Sequence, residues 1–178
     1  MIMDVFSSKY LNTLISEAGV SDRKRQHRNV HYSFDDKSQR LMNAIGVESY
    51  IAPHRHLLDP KRESLIAVRG LFAAVIFSDK GNVEQIEFFG TEKFKNLSIG
   101  LELPPEAWHT VVALTHGSAL FEVKEGPFDP KKAKEFAPWA PSEGSADAQD
   151  YLDQLRALCK QRLLNSSGER TFENYSVS

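Results

Sequence analysis

A chain of 178 residues can bury about two-thirds of its unfolded surface in one core, which makes one domain with short additions at its ends the expectation. Hydrophobic residues at 41% and charged residues at 26% exclude a disordered chain. Lys and Arg total 22 against 24 acidic residues, and a formal net charge of −2 excludes any global attraction to phosphate backbones, so no nucleic-acid partner is expected.

The N-terminus carries Asp4 where a signal peptide would carry basic residues. The longest apolar run, Leu71 to Phe77, is too short to cross a bilayer as a helix, and Cys159 is the only cysteine. A cytoplasmic protein without membrane contact or internal disulfide is the expectation. Tyr10, Leu11, Leu14, Ile15 and Ala18 recur at helical spacing before Gly19, which predicts an amphipathic N-terminal helix within residues 1–22. The basic run Arg23 to Arg28 reads as a solvated loop, with a local anion or phosphate contact as the alternative. Residues 29–34 alternate as a half-buried strand would, and residues 36–45 read as a short helix with Leu41, Met42 and Ile45 apolar.

From Val47 to Val123 short runs of Val, Ile and Phe are separated by turn residues such as Asp79-Lys80-Gly81-Asn82, the rhythm of antiparallel strands closing a sandwich or barrel. Beyond Gly126 prolines 127, 130, 138 and 141 alternate with Phe128, Phe136 and Trp139, which predicts an extended arm strapped onto the barrel by aromatics. Tyr151, Leu152, Leu155, Leu158, Cys159 and Leu163 define a second amphipathic helix ending near Asn165, and residues 166–178 read as a mobile tail.

The chemistry gathers on a few residues. His54 and His56 stand two apart, and in a strand such residues share a face, so two imidazoles can reach one ion. Arg55 between them points away. Glu63 follows a loop containing Pro60 and offers an anionic oxygen, Gly70 allows a bend at the end of the next strand, and a turn through Pro104 and Pro105 delivers His109 into another strand. Glu122 and Lys124 share one parity and Phe121 and Val123 the other; periodicity leaves open which pair faces inward.

This pattern, His-x-His, Glu, Gly seven positions later and a second Pro-x-x-x-x-His element, resembles the two-part signature of the cupins. The resemblance implies a mainly β fold, a double-stranded β-helix or jelly-roll barrel, with His54, His56, Glu63 and His109 converging on one divalent transition metal. The donors suit Zn, Fe, Mn, Ni or Co. Two departures stand out: the gap from His56 to Glu63 is longer than usual, and Glu106 stands where glycine is normal. Arg-Asn-Val-His at 28–31, Pro-His-Arg-His at 53–56, Trp-His-Thr-Val-Val-Ala-Leu at 108–114 and Phe-Glu-Val-Lys-Glu-Gly-Pro at 121–127 are similar, in the same order, to strings of the WbuC family of cupin-fold metalloproteins.

That resemblance covers a cupin domain over about residues 23–146, and the helix and tail over 147–178 lie outside it. It implies a small sugar-derived substrate in bacterial surface-polysaccharide (O-antigen or lipopolysaccharide) biosynthesis, a homodimer, and Arg28, Asn29 and His31 at the barrel mouth. Tyr50, Glu122 and Lys124 join them as expected substrate-binding or supporting residues. An isomerase, epimerase or oxygenase fits such a site, as do a non-catalytic sugar-metabolite sensor and a metal-independent sugar-nucleotide isomerase using histidines as acid and base.

Overall fold

The computed structural model describes residues 3–167. Helix α1 (Ser8–Val20) opens on Ser7, whose hydroxyl accepts from the Tyr10 N–H as an N-cap. The strands follow as β1 (Arg25–Asn29), β2 (Ser38–Ile45), β3 (His54–Arg55), β4 (Glu63–Arg69), β5 (Leu71–Phe77), β6 (Val83–Gly90), β7 (Gly100–Leu103), β8 (Trp108–Ala113), β9 (Ser118–Glu125) and β10 (Glu135–Phe136), and helix α2 (Ala148–Ser167) closes the series. One sheet has the order β1-β2-β9-β4-β7 and the other β10-β3-β8-β5-β6, and every pairing between these strands is antiparallel. Facing each other, the two sheets make an antiparallel β-sandwich of the jelly-roll kind.

Each sheet has a helix packed on part of its outer face. Leu11, Leu14 and Ala18 of α1 pack on Met42 and Ala44 of β2 and Ala119 of β9. Leu152, Leu155 and Cys159 of α2 pack with Ala73 and Val75 of β5 and with Trp108 and Val112 of β8. A strand buried on both faces loses the alternation that marks a half-exposed one, and this is where residues 36–45 mislead. In β2, Gln39, Leu41, Asn43 and Ile45 look into the barrel while Met42 and Ala44 lie under α1. The apolar spacing that reads as a helix is therefore a strand with two covered faces.

The strand read at residues 29–34 lies earlier, at Arg25–Asn29, so the basic run is largely the edge strand β1 rather than a loop. Its arginines are engaged: Arg25 donates to both Glu143 carboxylate oxygens at 2.6 Å, and Arg28 pairs with Glu17 of α1. The arm is only partly strapped by its aromatics. Trp139 packs on Phe77 and covers Gly81, and Phe128 meets Phe34 edge-on, whereas Phe136 is 58% exposed. Helix α2 extends through Ser167; the rest of the expected tail, 168–178, lies outside the described residues.

The two motif positions that demand unusual backbone are as the spacing requires. Gly70, between β4 and β5, has φ +84°, and a Cβ there would stand 2.1 Å from the Ser118 hydroxyl oxygen. Glu106, at the position where glycine is normal, adopts φ +67°, so the turn keeps its left-handed shape with a residue that favours it less.

Candidate metal centre

The barrel interior is divided. At one end Phe72, Phe89, Leu65, Leu103 and Leu120 fill the space between the sheets. At the other end lies a cavity of about 700 Å³ whose lining includes His54, His56, Glu63 and His109. All four residues are buried, and one ligand atom from each lies within 4.8 Å of the others.

Register brings them together. His54 on β3 is the direct antiparallel partner of His109 on β8, and their ring centroids are 4.4 Å apart. His56 follows two residues on with the same parity, its ring 5.3 Å from that of His54. From the opposite sheet, Glu63 at the start of β4 sits across from Lys124 of β9, whose Nζ donates to Glu63 Oε1 at 3.0 Å. The long loop between His56 and Glu63 thus returns the carboxylate to the cluster.

Each imidazole has its Nδ1 beside a backbone carbonyl: His54 with Ala52 at 3.0 Å, His109 with Ala107 at 2.8 Å, and His56 with Ala133. A carbonyl can only accept, so each Nδ1 carries a proton, and in the neutral imidazole the Nε2 presents a lone pair. Lys124 Nζ also lies 3.0 Å from His56 Nδ1. Both groups are donors there, so the ammonium turns its protons to Glu63. His56 Nε2 stands 3.0 Å from Glu63 Oε1 but off hydrogen-bond geometry, a buried nitrogen without a hydrogen-bond partner. His109 Nε2 is 3.4 Å from Glu63 Oε2.

The Nε2 lone pairs of neutral imidazoles converging on a carboxylate fit a cation. Burial, then the charge of Lys134, hold the His54 imidazole well below the ordinary histidine range, which keeps it a neutral ligand at neutral pH. Burial raises the Glu63 carboxyl, and the Lys124 ammonium that donates to Oε1 draws it down.

Of the other residues singled out by sequence, Asn29, His31, Glu122 and Lys124 line the cavity. The charged pair of β9 therefore faces inward, and Phe121 lies on the α1 side. Asn43 Nδ2 donates to Glu122 Oε2 at 2.9 Å, and burial, followed by the nearby Glu63 charge, pushes the Glu122 carboxyl up to about 7. Two expectations need correction. Tyr50 does not line the cavity: its hydroxyl donates to the Pro141 carbonyl at 2.8 Å and its ring packs on Tyr151. Arg28 turns outward, onto Glu17 and the Tyr10 ring.

Arg55 points away as parity requires, into Glu135 and across the face of Trp108. Sequence reasoning missed Asn43, His27 and Lys134, all on the cavity wall. Asn43 is hidden by the strand read as a helix, and His27 by the strand read as a loop. Lys134 sits in the arm between Pro130 and Pro138, where no periodicity speaks for it.

A family described as a domain of unknown function, DUF6016, matches residues 6–88, a stretch containing His54, His56 and Glu63 but not His109. No curated protein matches the sequence. Among solved structures the chain is similar to protein SO0799 from Shewanella oneidensis, at 13% identity and TM-score 0.51 over 75% of this chain and 83% of that one. It is also similar to Rru_A2000 from Rhodospirillum rubrum, a cupin-2 domain, at 10% identity and TM-score 0.48 over 75% and 81%. The capsular polysaccharide assembling protein CapF from Staphylococcus aureus matches at 17% identity and TM-score 0.47 over 66% of this chain, which spans only 32% of CapF.

Proposed function

We propose that this protein is a metal-dependent cupin of the WbuC kind, in which His54, His56, Glu63 and His109 hold one divalent transition metal and the adjoining cavity receives a small, polar, sugar-derived molecule. The observation that carries the metal is the tautomer set: three Nδ1 atoms beside backbone carbonyls leave three Nε2 lone pairs and a carboxylate facing one point, with His56 Nε2 unpaired. A bound ion there would supply Lewis acidity toward a substrate carbonyl or hydroxyl oxygen.

The chain's own residues set the rest. Lys124 donates to Glu63 and fixes the carboxylate's orientation. Glu122, held by Asn43 and titrating at about 7, can carry or release a proton at its carboxyl near neutral pH, as an acid or base for a hydroxylated substrate must. Asn29 and the Phe34 and Phe128 rings give the cavity a polar and an apolar wall, which suits a sugar ring. The assignment to surface-polysaccharide metabolism rests on the WbuC resemblance, and with it come a homodimer and a cytoplasmic location.

Elemental analysis of untagged protein tests the reading. About one equivalent of a transition metal per chain is expected in the wild type and almost none in a His54→Ala, His109→Ala double variant. Wild-type protein that stays far below one equivalent after incubation with Zn, Fe, Mn, Ni and Co in turn overturns it. Full turnover after chelation would favour the metal-independent isomerase instead, and a ligand bound unchanged by metal-loaded protein a sensor.

A further inference from the structure

The cavity wall carries several cations, and they are not equivalent. Arg25 is committed to Glu143 through both carboxylate oxygens, and Lys124 to Glu63. Lys134 lines the same cavity, yet its ammonium makes no hydrogen bond or ion pair to any described residue. It stands near enough to His54 and Glu63 at the metal cluster, to Glu122, and to His27 on β1 for its charge to be felt at all four.

We infer that Lys134 is the specificity residue for an anionic group on the ligand, so that the molecule taken is an acidic sugar, carrying a carboxylate or phosphate, rather than a neutral one. The inference rests on the cavity being the ligand site proposed above. The four clustered ligands and the unpaired ammonium of the arm line one cavity, so one ligand can reach both. An ammonium already paired inside the protein would gain little from an incoming anion; an unpaired one exchanges only water for it.

Although Lys134 is exposed as a residue, its ammonium is hemmed in by the cavity walls, and their desolvation draws its pKa down against the opposing pull of Glu63 and Glu122. The arm also supplies the Ala133 carbonyl that His56 faces, so the lysine is tied in sequence to a group that orients the cluster. His27 is kept toward its neutral form by burial and by Arg23 and Lys134, which leaves it a hydrogen-bonding partner rather than a second competing charge.

The test compares matched probes: galacturonate with galactose, and glucose 6-phosphate with glucose, titrated calorimetrically into the full chain in metal-loaded and chelated forms. At least one anionic probe should bind about tenfold or more tightly than its neutral counterpart, the scale of one charge-assisted hydrogen bond, and the stronger member identifies carboxylate or phosphate. Lys134→Gln should abolish the preference with metal content unchanged, Lys134→Arg should keep part of it, and Lys132→Gln, in the same segment, should keep all of it. Equal binding of charged and neutral probes, failure of both anions to bind, or a preference that survives Lys134→Gln overturns the inference. Failure of the metal reading shows separately in the wild type's metal content, because the preference is also measured in chelated protein.

Discussion

The two ends of the barrel interior are built from the same strands and do opposite things. On β4, β8 and β9, one step of alternation separates Glu63 from Leu65, His109 from Val111 and Glu122 from Leu120, with Lys124 one step further on. Toward the apolar end these inward positions interlock with Phe72 and Phe89, stacked at 5.2 Å between centroids, and no polar side chain is needed. Toward the cavity end the same pleat presents charges that pair with one another or face the cavity. The difference teaches where stability and chemistry reside. One end contributes burial, and the other spends part of that stability on desolvated charge.

The largest effect should come from the apolar end. Phe72 is fully buried, and Phe72→Ala should cost about 4 kcal/mol in denaturant unfolding while leaving metal per folded chain unchanged. A loss below about 1 kcal/mol would show that this end is not the packed core.

At the cavity end, Glu63→Gln removes the partner of a buried ammonium. Chelated protein should lose about 3 kcal/mol, with metal affinity falling at least about tenfold. Unchanged affinity would remove Glu63 from the ligand set and leave three histidines.

A smaller effect concerns pH. Glu122 titrates at about 7 when folded, above the ordinary carboxylate value of about 4.3, so the folded state takes up a proton the unfolded chain gives up. Its contribution is therefore fully present below about pH 4.3 and is lost as pH rises through 7. Between pH 5 and 8 the chelated wild type should lose stability relative to Glu122→Gln; parallel curves would place the Glu122 charge outside the buried wall.

The smallest effect belongs to the turn before β8. Glu106→Gly should gain up to about 1 kcal/mol, because φ +67° suits glycine better, with metal content unaltered; a loss would mean the glutamate side chain contributes more than its backbone costs.

How much of this was legible in the sequence follows the same division. His54, His56 and His109 could be read because strand parity and a turn determine where such residues point, and Glu106 because a motif position normally held by glycine implies a backbone shape. The inward face of β9 could not be read, since Glu122 and Lys124 look like surface charge until β4 places Glu63 opposite. β2 was misread because α1 covers its outer face and erases the alternation. Tyr50 and Arg28 flank the motifs in sequence but are drawn off by Pro141 and Glu17. Lys134 and Asn43 reach the cavity only through long-range pairing, which leaves no local trace.

The most direct measurement of the central claim is an anomalous-difference map from crystals of the metal-incubated full chain, collected at the absorption edge of the ion found by elemental analysis. The account predicts one strong peak about 2.0–2.2 Å from the Nε2 atoms of His54, His56 and His109 and from a Glu63 oxygen. A map without a peak there, or with its strongest peak on surface residues, would contradict it.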